Sequence, residues 1–184
     1  MDIKDFEDKL TDLPPEKRKL FAELLERKQS LKRTHNAKQN FLDFVKYIWP
    51  DFIEGTHHRI IAEKFNRIAE GKLKRLIVNM PPRHTKSEFA SYMLPAFIMG
   101  RNPLTKIIQT SHTAELSQRF GRKTKQLIDS SDYKKIFPDT TLQADSKAAG
   151  RWDTSAGGEY FAAGVGGAIT GRGADLLIID DPHS

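Results

Sequence analysis

The stretch Leu73 to Ser91, LKRLIVNMPPRHTKSEFAS, constrains this chain more than any other. Its apolar run Leu76-Ile77-Val78 has the composition of a β-strand, its middle is a Pro-rich loop, and Lys86-Ser87 opens a helix-forming run from Glu88 to Met99. Strand, loop, Lys-Ser and helix in that order predict a phosphate-binding P-loop. There, backbone N–H groups and a helix N-terminus converge on negative charge while a lysine reaches the outer phosphates. The match to G-x-x-x-x-G-K-[ST] is incomplete, because Met80 and Thr85 occupy the two glycine positions. A β-branched residue in a left-handed conformation is strained by about 1–2 kcal/mol, so the loop either holds that strain or follows another path. Pro82 has no N–H, which leaves phosphate donors to the backbone from Arg83 through His84, Thr85, Lys86 and Ser87. Arg83 and His84 add side-chain donors. A surface turn with a Lys-Ser pair would show the same letters.

A second stretch decides between these readings. Gly173-Ala174-Asp175 leads into Leu176-Leu177-Ile178-Ile179 and then Asp180-Asp181-Pro182. Four consecutive apolar residues predict a strand buried on both faces, as in a parallel sheet. A carboxylate at the C-terminal end of such a strand is the Walker B arrangement, where Asp holds Mg²⁺ directly or through water. Ninety-four positions separate Lys86 from Asp180, room for an intervening strand–helix unit. Alone, the segment also reads as a buried strand ending in a solvated turn. Together the two motifs predict an ATPase core.

Composition narrows the alternatives. A chain of 184 residues can bury one sizeable α/β core. It has no cysteine, which excludes disulfide scaffolds and thiolate zinc sites, and its six histidines show no metal-ligand spacing. No apolar run approaches the roughly 20 residues of a membrane span, and the charged N-terminus is not a signal peptide. A soluble, intracellular protein is expected. The net charge of +6 suits a phosphate-rich partner, nucleotide or nucleic acid.

Taken in order, residues 1–12 are polar and expected to fray. Pro14-Pro15 and the run EKRKLFAELLERKQSLKR predict a helix with Pro in its first turn, an apolar stripe through Leu20, Leu24 and Leu31, and a basic face that is either solvated or touches DNA. A break is expected over Thr34 to Gln39. Asn40-FLDFVKYIW predicts a second helix stopped by Pro50. Thr56-HHRIIAEKFNRIAEGK predicts a third, capped by Thr56 and closed at Gly71. His57 and His58 are candidates to contact an adenine base or, more simply, to pack and cap. Lys106-IIQTS predicts a strand and Thr113-AELSQRFGRKTKQLIDS a helix, with Ser111 and His112 able to sense nucleotide or touch DNA. Strand, helix, strand, helix implies a parallel sheet whose ligands sit at the strand C-termini, near Lys86, Thr110, Ser111 and Asp180. The glycine-punctuated region 138–175 holds a short strand at Glu159-YFAAGV, in a hairpin or at a bent edge, and a loop with Arg172.

Three segments, KRLIVNMPPRHTKS, ADSKAAGRWDTSAGG and GVGGAITGRGADLLIIDDP, resemble in order and wording the N-terminal ATPase of tailed-phage terminase large subunits. The likeness runs from about Phe41 to Ser184. It implies a P-loop NTPase of α/β class, a mainly parallel sheet flanked by helices, with residues 1–39 as an N-terminal helical extension and 40–184 as the ATPase core. It implies ATP and Mg²⁺ as cofactors and double-stranded DNA, portal protein and terminase small subunit as partners. A homo-oligomeric ring, a host cytoplasm or the cytoplasm of a bacterium carrying the prophage, and no membrane are implied as well. By motif position, Pro82, Arg83, His84, Thr85, Lys86 and Ser87 would hold the nucleotide with His58 nearby. Lys86 would bind the outer phosphates, and Ser87 and Asp180 would hold the metal. Asp181 would orient the attacking water with Glu159 in reserve, and Arg172 would act outside its own pocket, towards a neighbouring subunit or DNA, with Arg101, Arg119, Arg122 and Arg151 as rivals. The family carries a glycine where this chain has Thr85. It also continues past the second motif with a coupling strand, more ATPase core and a nuclease domain, so nuclease activity is not expected here. The competing expectations are a fragment that binds nucleotide or a partner without turnover, and a small P-loop nucleotide kinase.

Overall fold

A computed structural model describes residues 14–145 and 148–183. The N-terminal residues expected to fray lie outside the described residues, as do Ser146 and Lys147 within ADSKAAGRWDTSAGG and the final Ser184. Helix α1 (Pro15–Gln39) starts on a proline, whose missing N–H costs nothing in a first turn. No break occurs over Thr34 to Gln39. The Thr34 hydroxyl donates back to the Ser30 and Leu31 carbonyls, and Ala37 is fully buried, so this last turn is held by packing. The interruption falls at Asn40, whose side chain accepts from the Leu42 and Asp43 N–H groups and starts α2 (Phe41–Ile48). Leu20, Leu24 and Leu31 of α1 stay exposed.

Helix α3 (Thr56–Ala69) is capped one residue earlier than expected, by Gly55. Its other end closes as predicted: Gly71 takes a φ of 70°, and the Gly71 and Lys72 N–H groups reach the Ile68 and Arg67 carbonyls. This is the double bond of a glycine-closed helix end. Phe41 N–H donates to Asn66 Oδ1 at 2.8 Å and ties α2 to α3. The expected helix after Lys86 forms, but it opens as a π-helix over Glu88–Met93 before becoming α4 (Leu94–Arg101). Pro95 explains the widening, since it can neither donate to the Ser91 carbonyl nor tolerate it at α-helical distance.

Four strands form one open mixed sheet in the order β2-β3-β1-β4. Strand β1 (Lys106–Ser111) is central; α5 (Ala114–Asp129) and the short α6 (Ser131–Ile136) follow it. Then come β2 (Arg151–Asp153), β3 (Glu159–Gly164) and β4 (Leu176–Asp180). Strand β1 pairs in parallel with both β3 and β4, while β2 and β3 make an antiparallel hairpin. Thus the Glu159 strand is interior, and β2 takes the edge. The chain is an α/β protein with helices against its sheet.

The core lies between helices and one sheet face. Phe41 sits edge-on to Phe65, Phe89 and Phe97 with centroids 5.2–5.6 Å apart. Trp152 stacks on Tyr160 at 4.8 Å and donates through its indole N–H to the Gly121 carbonyl of α5.

Two expectations about strands are corrected. Leu76-Ile77-Val78 is not a strand of the sheet. Leu76, Val78 and Met80 turn to the core while Ile77 faces out, a strand-like alternation with no paired strand among the described residues. Between this run and β4 lies a cleft of about 910 Å³ lined by Leu76, Val78 and Leu176 to Asp180. Nor is β4 buried on both faces: Ile178 is buried, but Leu177 is 56% and Ile179 59% exposed. Among the described residues, its second ladder edge and second face lack the neighbours that a continuous apolar run predicts.

Candidate functional site

The site forms where the loop 80–87 meets the C-terminal end of β4. Lys86 stands at the start of the helix that leads into Glu88–Met93, and its ammonium is bonded to Asp181 and lies 3.6 Å from Asp180 Oδ1. These contacts join residues more than ninety positions apart. The hydrogen bond that Lys86 donates to Asp181 and the nearby Asp180 charge raise the Lys86 pKa above the usual lysine value, against the opposing effect of burial. Lys86 is therefore a permanent cation at neutral pH.

The two carboxylates differ in surroundings. Asp180 is only 5% exposed; its Oδ2 accepts from Ser91 Oγ at 2.8 Å. Burying that charge is tolerable because a cation and a hydroxyl both face it. Asp181 is exposed and has a φ of 44°, and its carbonyl accepts the His112 N–H at 3.1 Å. Ser111 lies beside Asp180 in the β1–β4 register, and its buried hydroxyl has no partner among the described residues. Thr110 alternates to the other sheet face and donates to the Ile178 carbonyl at 3.3 Å.

The loop itself is left-handed at two non-glycine positions, Arg83 (φ 64°) and Thr85 (φ 63°). Strain at Thr85, raised as one outcome from the missing glycine, is thus what the chain adopts. His84 turns back and donates from Nδ1 to the Pro82 carbonyl at 2.8 Å. Arg83 is exposed. A cleft of about 500 Å³ is lined by Met80 through Glu88 together with Asp181. The first helical bond here runs from Phe89 N–H to Thr85 O at 2.9 Å, so the N–H groups of Lys86, Ser87 and Glu88 precede it. Loop, helix N-terminus, ammonium and paired carboxylates together suit a phosphate group with a divalent cation.

Some candidates fall elsewhere. His58 is 5% exposed, with Nδ1 accepting from Gly55 N–H at 2.9 Å and Nε2 2.8 Å from Thr85 Oγ1. Both nitrogens are committed, so no ring atom is left for an adenine; His58 packs and caps. Glu159 and Arg172 lie at the opposite end of the sheet, where Glu159 is in register with Lys106. Arg172 is ion-paired with Glu159 and lies 4.0 Å over the Phe161 ring. Arg172, on the glycine-rich loop, thus has the acidic and aromatic side chains of β3 as its partners. Glu159 is far from Lys86 and cannot substitute for Asp181. Ser91 was missed by sequence reasoning. Its signal was a small hydroxyl inside an apolar helical run, one turn beyond Ser87.

Among the described residues no cluster of three or more His, Cys, Asp or Glu could hold a metal. Magnesium does not need one, since it binds through one or two carboxylates, a hydroxyl and the phosphates of its substrate. Ser87 and Asp180 supply donors of that chemistry. No described helix is long and apolar enough to cross a membrane. Comparisons with protein-family models, curated proteins and solved structures return no match.

Proposed function

We propose that this chain is the nucleotide-binding part of a DNA-packaging motor of the terminase large-subunit type, a P-loop ATPase that couples Mg²⁺-dependent ATP hydrolysis to translocation of double-stranded DNA. The observation behind it is the Lys86–Asp180–Asp181 constellation at the junction of a left-handed loop, a helix N-terminus and a strand C-terminus. The rest follows from the resemblance of the three sequence segments.

In this reading the N–H groups at the helix start and the Lys86 ammonium receive the β- and γ-phosphates, and Arg83 reaches them from the loop. Ser87 and Asp180 would hold Mg²⁺, which when bound would supply neutralisation of phosphate charge. Ser91 orients Asp180 by donating to its Oδ2. Asp181 exchanges its bond to Lys86 for the attacking water. Rate enhancement comes from positioning and charge stabilisation. Portal protein, terminase small subunit and a ring of identical chains are the partners of that motor, which works in a host or prophage-carrying bacterial cytoplasm.

One observation favours a second reading, in which nucleotide binds without turnover. Asp181 is engaged by Lys86, and the cleft beside β4 leaves the carboxylate end of that strand without a neighbour on one side. A steady-state ATPase assay with and without double-stranded DNA separates the two. Turnover stimulated by DNA supports the motor; tight binding with no turnover supports the binder; phosphate transfer to a nucleoside monophosphate points instead to a nucleotide kinase.

A further inference from the structure

We propose that His58 is a positioning residue for the loop that precedes Lys86: its Nε2–H latches the Thr85 hydroxyl and holds Thr85 in the left-handed conformation that a glycine would adopt unaided. The proposal rests on the nucleotide-site reading for its consequence, but its geometry stands apart from it.

Every proton in this chain of contacts has one direction. Gly55 N–H can only donate, so His58 Nδ1, 2.9 Å away, must be an acceptor without a proton. The proton of the neutral ring is then on Nε2, which donates to Thr85 Oγ1 at 2.8 Å. Thr85 Oγ1 in turn donates to the His84 carbonyl at 2.6 Å. Gly55, His58, Thr85 and His84 thus form a directional relay from the cap of α3 into the loop. The neutral ring that this relay needs is favoured by burial and by the neighbouring His57, which hold the His58 pKa below the usual histidine value.

The latch answers a definite need. Thr85 has a φ of 63° and a branched Cβ, a combination that persists only where surrounding groups over-determine it. Its carbonyl accepts the first helical N–H, from Phe89, so the torsion at Thr85 sets where the helix and Lys86 begin. His58 is itself immobilised between Phe52 and Phe89, with ring centroids 4.7 and 5.0 Å away. A rigid ring on one helix therefore fixes the torsion that aims the lysine on the next.

The test is a double-mutant cycle read as the MgATP dissociation constant of the whole chain. His58→Phe keeps a ring and removes both nitrogens, and it should weaken binding about tenfold, equivalent to about 1.4 kcal/mol. His58→Gln, which retains a donor at similar reach, should recover most of that loss. With Thr85→Gly, where glycine needs no latch, adding His58→Phe should change affinity by less than about twofold. Equal losses in both backgrounds, or none in either, would overturn the proposal. Should His58→Phe fail to fold, Thr85→Val removes the same bond from its other end and must show the same tenfold loss. A wild-type chain that binds no MgATP sinks the nucleotide reading instead. In that case the latch is read from the same cycle by thermal unfolding, where additive shifts refute it and non-additive shifts uphold it.

Discussion

Replacing Asp180 by Asn should separate the stability of this fold from its chemistry. The carboxylate is 5% exposed and its Oδ1 lies 3.6 Å from the Lys86 ammonium. At that separation and an effective dielectric constant of about 20, the attraction is about 5 kcal/mol. The cost of taking a carboxylate out of water is also several kcal/mol, so the two nearly cancel. Asn keeps the shape and an oxygen to accept from Ser91, and Lys86 retains Asp181. The net change in unfolding free energy should be under about 1 kcal/mol, a shift in Tm of less than about 4 °C for a chain of this size. Nucleotide binding should respond differently. If Asp180 is the buried carboxylate that holds Mg²⁺, its loss should weaken Mg²⁺-dependent binding of a fluorescent ATP analogue at least about tenfold. The assay is a Mg²⁺ titration at fixed protein and nucleotide, run beside thermal unfolding of both proteins. Unchanged Mg²⁺ dependence would refute the metal role, and outright unfolding would refute the balance of charge and desolvation.

Three further outcomes are expected. Asp181→Asn should leave MgATP affinity within about threefold while slowing any DNA-stimulated turnover at least tenfold, since the group is exposed and placed beside the lysine; a loss of affinity equal to that of Asp180→Asn would cancel the division of labour. Because burial holds the His58 pKa below its unfolded value of about 6.5, the unfolded state binds the extra proton first as pH falls. Stability from His58 is therefore complete above about pH 6.5 and lost as pH drops through that value towards the folded pKa, with Glu54 opposing the loss and His57 and His84 adding to it. Urea unfolding at pH 7.5 and 5.0 should show a smaller acid loss in His58→Gln than in wild type. Gly100→Ala should destabilise the fold by about 1–3 kcal/mol, because a Cβ there overlaps the buried Phe137 ring; thermal unfolding checks it.

Local chemistry made much of this molecule legible. The helices that open near Asn40 and Thr113, Gly71 as a helix end and the Lys106–Ser111 strand are each dictated by neighbours within a few residues. The pairing of Lys86 with Asp180 and Asp181 was anticipated from the two motifs read together, and it forms although the run before the loop joins no strand of the sheet. What failed depended on distant neighbours. The Leu76–Val78 run has strand composition, yet a strand needs a partner at hydrogen-bonding distance, and β4 is separated from it by a cleft. The both-sides burial of β4 failed for the same reason. The contacts of Arg172 were not legible, because Glu159 and Phe161, thirteen and eleven positions earlier, meet it only in the folded chain. His58 was a base contact or a packed cap from sequence; which of the two depended on Thr85, twenty-seven positions away.

The central claim is that the loop before Lys86 and the two carboxylates after β4 form one nucleotide site. Calorimetric titration of the folded chain with a non-hydrolysable ATP analogue and Mg²⁺, repeated on Lys86→Ala, tests it most directly. The account predicts a single site in wild type. In a variant whose unfolding transition is preserved, affinity should fall by a factor of about one hundred or more, since a charge-assisted contact to phosphate is removed. Equal binding by both proteins, or no binding by a folded wild-type chain, would contradict it.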